Sequence, residues 1–432
     1  MKKINLIVLS DLQHSSPRVT NLVHYIDNSR FKKYIIGASH KNYLDDQDFP
    51  EDFFNHVKYL SFNRRFNLFQ FLKKNVQETQ STSNQKKTGF ILLKRFFLKI
   101  SLSFLFPDQY IYSLNSYLKR AKSLIRNLDG KTIILTSHPY PTSHIAGYFI
   151  KKKYKKKVLW IADYRDLWTL NHNYSYNSLR QFADEKLEKN IIKKADLITT
   201  VSNSLAETQY DFLRRKVNVI YNGYSIDNSK VSKLNFYNSK FLSNNKKYIL
   251  HVGSLYFDFM NIDLLISSLN EIKENNFEIH FIGNFSAELE KKIHQNNLSE
   301  KIYQLGKFNR SESIEIQKKY DFLLIFDSDN EKGKSYQNST GVLPLKFFEY
   351  IQSTKPILCL GGKSNSDVKR ILFDLNRGII LDNKNQVCEF FSSIDDAKLN
   401  IRLDKSENDK YSYKKSAKDF ETLIYSKLKF DK

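Results

Sequence analysis

Two cysteines in 432 residues leave no material for a disulfide framework or a cysteine metal cluster, and both, Cys359 and Cys388, sit in apolar surroundings. The ten histidines show no metal-ligand spacing. No Gly-x-Ser-x-Gly, Walker or dinucleotide fingerprint occurs, so hydrolase, ATPase and dehydrogenase readings lack their usual carriers. A long uninterrupted apolar run is also missing. The nearest, 89–107 (GFILLKRFFLKISLSFLFP), is broken by Lys94, Arg95 and Lys99, too short and too charged to span a bilayer. At the amino terminus, MKKINLIVLSDLQ offers an apolar run of only about six residues before Asp11. It reads as a first buried strand, and a cytoplasmic protein is expected.

Acidic charge is short as well. Against 69 Lys and Arg stand 46 Asp and Glu, a net charge of +23, which favours polyanions or an anionic membrane surface. A Lys- and Asn-rich compositional bias accounts for much of the total but not for its placement. Six of the seven residues in 151–157, KKKYKKK, are lysines, and a second basic and aromatic zone covers 85–126. No nucleic-acid module accompanies these runs, so no nucleic-acid partner is expected. As a helix, 89–107 would present Phe and Leu on one side and three cations near the other, an interfacial helix for peripheral attachment to the inner face of a membrane. The alternative is a helix packed on its own domain. The polar segment 77–88 reads as a loop.

What is present is an α/β alternation that occurs twice. Apolar strand-like runs fall at 5–9, 34–37, 132–135, 158–161, 197–201 and 218–220, and the series restarts at 248–252, 278–282, 322–326, 357–360 and 378–381. The length fits two domains of roughly 200 residues each. The expected layout is a first Rossmann-like domain over 1–225, a polar linker over 226–246, a second Rossmann-like domain over 247–405, and a C-terminal helix, 406–432, packing back on the first. Such domains face each other across a cleft at the carboxyl ends of their strands.

Residues 340–356, TGVLPLKFFEYIQSTKP, lie between two of the second-half strands and read as a short helix with Pro344 in its first turn. The N–H groups of its start, around Val342 to Leu345, would favour an anion such as a phosphate. Lys346 adds a cation. Glu349, three residues on, carries acceptors suited to two adjacent hydroxyls such as a ribose diol. Together they describe a nucleotide site; the alternative is a surface helix with one Lys and one Glu. In 159–171, LWIADYRDLWTLN, a buried strand ends at Asp163, with Arg165, Asp166 and Trp168 beside it, either cleft residues or a salt-bridged turn. His138 and His144 follow the 132–135 strand and would face the cleft or serve the structure. Asp327-Ser328-Asp329 has the form of a metal-diphosphate motif, but it comes late in a second α/β repeat and reads as a strand-end loop.

In this order, FPDQYIYSLNSYLKRA, SHPYPTSHIAG, the 159–171 segment, KADLITTVSNSL, VNVIYNGYSID, YILHVGSLY and the 340–356 string resemble the retaining glycosyltransferases of family 4 (group 1), of the kind found in cell-surface polysaccharide pathways. The resemblance implies the GT-B fold. It also implies a nucleotide-sugar donor, a lipid-linked or surface-glycan acceptor, transfer with retention, and no metal or other cofactor. It assigns donor binding to Glu349, Lys346, Gly253, Gly341, Val342 and Lys307, and catalytic roles to Asp163, Arg165 and His138. Two departures stand out. The family's first glutamate, which touches the donor sugar, is Gly341 here, as in a branch of the family that writes Gly-Val-x-Pro-x-Lys. The turn after Gly253, SLYFDFMNID, lacks the family's phosphate-binding cation. A nucleotide-sugar 2-epimerase of the same architecture, or an inactive basic scaffold, are the alternatives.

Overall fold

The computed structural model describes residues 3–10, 17–39, 49, 52–63, 106–108, 110–137, 140–171, 174, 176–225, 246–253, 262–327, 341–395 and 405–430. The chain divides into two compact units, residues 1–200 with 209–218, and residues 201–208 with 219–432. The expected linker, 226–246, lies outside the described residues except for Lys246, and so does the expected interfacial segment 89–107 except for Phe106 and Pro107.

The first unit is built on β1 (Ile4–Leu9), β2 (Phe31–Ser39), β3 (Val57–Asn63), β4 (Thr132–Ser137), β5 (Val158–Tyr164), β6 (Leu197–Thr200) and β7 (Asn218–Val219). The sheet order is β3-β2-β1-β4-β5-β6-β7, and the pairings from β3 through β6 are parallel. Parallel strands covered on both faces must be apolar throughout rather than alternating, and the burial of every residue of β4 and β5 meets that demand. The helix Pro141–Tyr154 connects β4 to β5 and packs Ala146 and Ile150 into the same core as Trp160.

The second unit repeats the plan with β8 (Lys247–Val252), β9 (Phe277–Ile282), β10 (Ile302–Gly306), β11 (Phe322–Phe326), β12 (Ile357–Leu360) and β13 (Gly378–Leu381), all parallel, in the order β10-β9-β8-β11-β12-β13. Its strands feed two cores by alternation, as a pleated strand must. Ile249, Leu324 and Leu358 face one core, while Leu250, Leu323, Ile325 and Cys359 face the other. The helix Leu345–Ser353 lies on the second of these faces through Phe347, Phe348, Tyr350 and Ile351.

That helix is also fixed at its far end. It stops at Thr354, held in the left-handed region at φ 63°, just before Pro356. Terminal carbonyls of a helix need donors. The buried guanidinium of Arg377 supplies them, donating to Ile351 O at 2.5 Å, Tyr350 O at 3.3 Å and, beyond the helix end, Lys355 O at 2.6 Å. Arg377 also reaches Asn408 Oδ1 at 3.3 Å, just ahead of the helix Tyr413–Phe430. This last helix belongs to the second unit, where Tyr413 N donates to Tyr224 O at 3.0 Å and Ser416 Oγ to Tyr221 O at 2.9 Å.

Candidate functional site

Lys346 and Glu349 stand one turn apart on the helix Leu345–Ser353. Pro344 precedes this helix rather than opening it: φ −67° and ψ 146° make it the N-cap, and among the described residues no side chain caps the helix start. Tyr350, on the buried face, accepts a bond from Val252 N at 2.8 Å, which ties the helix to the carboxyl end of β8. Lys346 Nζ then meets His251 Nε2 at 3.0 Å, and His251 Nδ1 meets the carbonyl of Leu324 at 2.9 Å. A carbonyl only accepts, so Nδ1 carries the proton and Nε2 receives the lysine's bond. Burial, and then the Lys346 charge, hold His251 well below its usual pKa, so it stays neutral. Burial likewise brings Lys346 down to about 8, against the opposing pull of Glu349.

Gly253 closes the turn above them. Its φ of +107° is one that side chains resist, and a Cβ there would lie 3.0 Å from Lys346 Nζ. Glu349 is nearly buried, and its Oε1 accepts from Arg310 Nε at 2.7 Å. The charges run Arg310 (+1), Glu349 (−1), Lys346 (+1) and His251 (0), a net +1 at the carboxyl edge of the sheet. Such an arrangement offers a cation to an anion at Lys346 and carboxylate acceptors to hydroxyl groups at Glu349.

Sequence reading missed Arg310. It is the first residue of the helix Arg310–Gln317, started by a full capping box between Asn309 and Glu312. The Asn-x-x-Glu signal was present, but the strand it follows, β10, is an edge strand with exposed Tyr303 and Gln304 and was not recognised. Lys307 is exposed in the loop between β10 and this helix, and among the described residues it makes no polar contact. Val342, half-buried, brings no polar side chain.

Gly341 is a glycine for want of space. Ser202 Oγ donates to its carbonyl at 2.7 Å, and a Cβ would fall 2.7 Å from Leu205 Cγ and 2.8 Å from both Leu205 N and Ser202 Oγ. The missing carboxylate at this position is therefore a packing requirement of this chain. Asp327 is buried at the end of β11, where Ser366 Oγ donates to Oδ2 and Gly362 packs against the carboxylate. Asp329 lies outside the described residues. Among the described residues no group of three or more His, Cys, Asp or Glu side chains is arranged to hold a metal ion.

In the first unit, Asp163 ends up fully enclosed. Arg18 grips it from Nη2 to Oδ1 at 2.8 Å and from Nε to Oδ2 at 3.1 Å, and Ser137 Oγ and Thr199 Oγ1 donate at 3.0 Å and 2.7 Å. Burial alone would raise its pKa, but Arg18 and the two hydroxyls outweigh it and hold the carboxyl below its usual range. Its acceptors are occupied by these four bonds, which tie together the ends of β4, β5 and β6. Arg165 pairs with its neighbour Asp166 at 3.0 Å. His138 lies outside the described residues. His144 is buried, shares a 2.8 Å bond with Thr136 Oγ1, and is held neutral by burial, at about 3, despite Asp163.

Further buried carboxylates that the sequence did not advertise tie the remaining motifs together. Asp108 accepts from Thr142 N at 2.7 Å and from Tyr110 N at 2.6 Å. Glu188 accepts from Tyr164 OH at 2.9 Å and Thr169 Oγ1 at 2.6 Å, and burial pushes it up to about 7. Asp184 receives Tyr174 OH at 2.7 Å and Arg180 Nε at 2.9 Å, while Arg180 also donates to Pro107 O at 2.6 Å. The lysine run sits elsewhere. Lys151 bonds Asp196 at 2.6 Å and Val158 O at 2.8 Å, and the exposed Lys152, Lys153 and Lys155–Lys157 gather at the amino end of β5, opposite the end that carries Asp163.

Two outcomes follow from this geometry. With Lys346 titrating at about 8 in the free protein, its charge is largely present at pH 7 and largely lost at pH 9. Affinity for a nucleoside diphosphate, measured calorimetrically, should fall about tenfold across that interval and lose this dependence in Lys346→Met. Gly341→Ala should lower the melting temperature, and Gly341→Glu should lower it further without improving turnover. A stable, more active Gly341→Glu protein would contradict the packing account.

No curated protein matches the chain. A sequence model of Glycosyltransferase Family 4 matches residues 85–228, the stretch that holds the Asp108, Asp163 and Glu188 clusters. Among solved structures, a glycosyltransferase from Rickettsia africae aligns with TM-score 0.65 at 13% identity, over 99% of this chain and 100% of its own. A sucrose-phosphate synthase from Thermosynechococcus elongatus aligns with TM-score 0.63 at 12% identity, over 98% and 99%. A protein from Anabaena, solved in complex with UDP and glucose, aligns with TM-score 0.57 at 13% identity, again over 98% and 99%. The chain thus has the glycosyltransferase-like GT-B fold, two parallel α/β sheets each in doubly wound order.

Proposed function

We propose that the protein is a retaining glycosyltransferase that moves a sugar from a nucleotide-sugar donor to a hydroxyl of a lipid-linked or surface-glycan acceptor, in cell-surface polysaccharide synthesis. The observation that carries this reading is the Gly253–His251–Lys346–Glu349–Arg310 constellation at the carboxyl edge of the second sheet. The match of residues 85–228 to Glycosyltransferase Family 4 and the UDP and glucose of the Anabaena structure support it. Lys346 and the uncapped start of its helix meet the diphosphate, and Glu349 takes the ribose diol through the oxygen Arg310 leaves open. The incoming acceptor hydroxyl gives its proton to the departing diphosphate oxygen as the new glycosidic bond forms on the same face. The protein's part is to position both substrates and offset the leaving charge. Asp163 and its hydroxyl partners shape the acceptor side. Asp327, engaged with Ser366, is left out of the chemistry, and the leaving group is neutralised without a metal.

Glu349→Ala should weaken nucleotide binding at least about tenfold, since each charged hydrogen bond contributes roughly 1.5–3 kcal/mol. Glu349→Gln should fall between. Donor turnover should survive EDTA and require an acceptor. Strict metal dependence abolished by Asp327→Ala, or epimerised donor formed without acceptor, would replace this reading with a metal-dependent transferase or a 2-epimerase.

The same proposal places the protein in the cytoplasm, peripheral on the inner face of the membrane. Among the described residues no helix is long and apolar enough to cross a membrane. The exposed lysines at the amino end of β5 supply an attractive surface of about 1 kcal/mol per cation. Flotation with anionic liposomes at low salt should carry the protein upward and neutral liposomes should not; equal binding to both, or to neither, would contradict it.

A further inference from the structure

Arg310 has a place in the site that its ion pair alone does not explain. Its Nε is fixed on Glu349 Oε1 at 2.7 Å, and among the described residues it makes no other polar contact. A guanidinium is rigid, so fixing Nε also fixes the two terminal nitrogens and their four N–H bonds. The side chain is 27% exposed and that of its partner 10%, so the fork is held at its root and reachable at its tip.

The position of the fork follows from the topology. Lys346 sits over β8 through His251 and Gly253, whereas Arg310 opens the helix that follows β10, two strands away in the order β10-β9-β8. Strands lie about 4.8 Å apart, so β8 and β10 are separated by about 10 Å. Glu349 lies between them: it is the charged group that acts on Lys346 and the one that bonds Arg310. A nucleoside diphosphate has the same linear order of phosphate, ribose and base. With phosphate on Lys346 and ribose on Glu349, the base falls on Arg310.

We infer that Arg310 is the base-reading residue of the donor site and selects a base with keto-oxygen acceptors, uracil or guanine, over adenine. The inference rests on the donor-site reading proposed above and adds the class of nucleotide. A fork that only donates complements the adjacent O6 and N7 of guanine as a pair, or a single keto oxygen of uracil, O4 or O2. It meets the donor N6 amino group of adenine unfavourably.

The test is calorimetric binding of UDP, GDP and ADP to the full chain and three variants. The wild type should prefer the better of UDP and GDP over ADP by roughly tenfold or more, the discrimination a bidentate contact gives. Arg310→Ala should shrink that preference below about threefold. Arg310→Lys, which keeps a charge beside Glu349 but not the fork, should leave the preference reduced. Lys346→Ala should weaken all three nucleotides by a similar factor and leave the preference intact. A preference that survives in Arg310→Ala, with all three weakened equally, would make Arg310 a support for Glu349 and overturn the inference while sparing the donor site. No loss of binding in Lys346→Ala would take both readings down.

Discussion

Lys346 keeps its ammonium over the end of β8 because His251 offers a nitrogen lone pair there, and His251 can do so because the Leu324 carbonyl takes its other proton. An ammonium so placed is costly to desolvate, which is why its pKa falls to about 8. Several contacts within the second unit fix the helix that carries this charge. Tyr350 fastens the helix to Val252, Phe347 and Phe348 bury it, and Arg377 satisfies its trailing carbonyls. Gly253 leaves the space that the lysine head fills, and Glu349 balances the charge one turn away. A phosphate arriving at this point meets a cation already oriented, with no rearrangement needed to present it.

The first unit solves a different problem, that of irregular backbone at the end of a parallel sheet. The peptide groups of Tyr110 and Thr142 and the hydroxyls of Ser137, Tyr164, Thr169 and Thr199 need partners there. Buried carboxylates supply them: Asp108 holds Tyr110 and Thr142, Glu188 holds Tyr164 and Thr169, and Asp163 holds Ser137 and Thr199 with Arg18 as counter-charge. An acid at such a position is a fastener first. Its presence beside an expected cleft does not by itself make it a reactant.

How much of this was legible depends on how locally each feature is encoded. All eleven expected strands are strands, because a buried parallel strand writes itself as an apolar run. The two not foreseen, Val57–Asn63 and Ile302–Gly306, each pair with one strand only among the described residues, at a sheet edge where exposed residues such as Lys58, Tyr303 and Gln304 are tolerated. Missing the second of these hid the helix start that delivers Arg310. Lys346 and Glu349 were found because they share one contiguous motif, and Gly253 because it sits in a contiguous motif of its own, YILHVGSLY. The partners His251 and Arg310 come from strands and loops about 40 to 95 residues away, a pairing that no local pattern records. The partner of Asp163 was hidden for the same reason, since Arg18 lies 145 residues earlier in the chain. The lysine run was legible as a cluster, but its location at the amino end of β5 was not.

The central claim is that one short helix carries phosphate and ribose recognition side by side. A crystal structure of the protein with a nucleoside diphosphate tests it most directly. The account requires the diphosphate against Lys346 and the helix start, and the ribose hydroxyls on Glu349. A nucleotide bound elsewhere in the chain, or one bound here with its ribose away from Glu349, would contradict it.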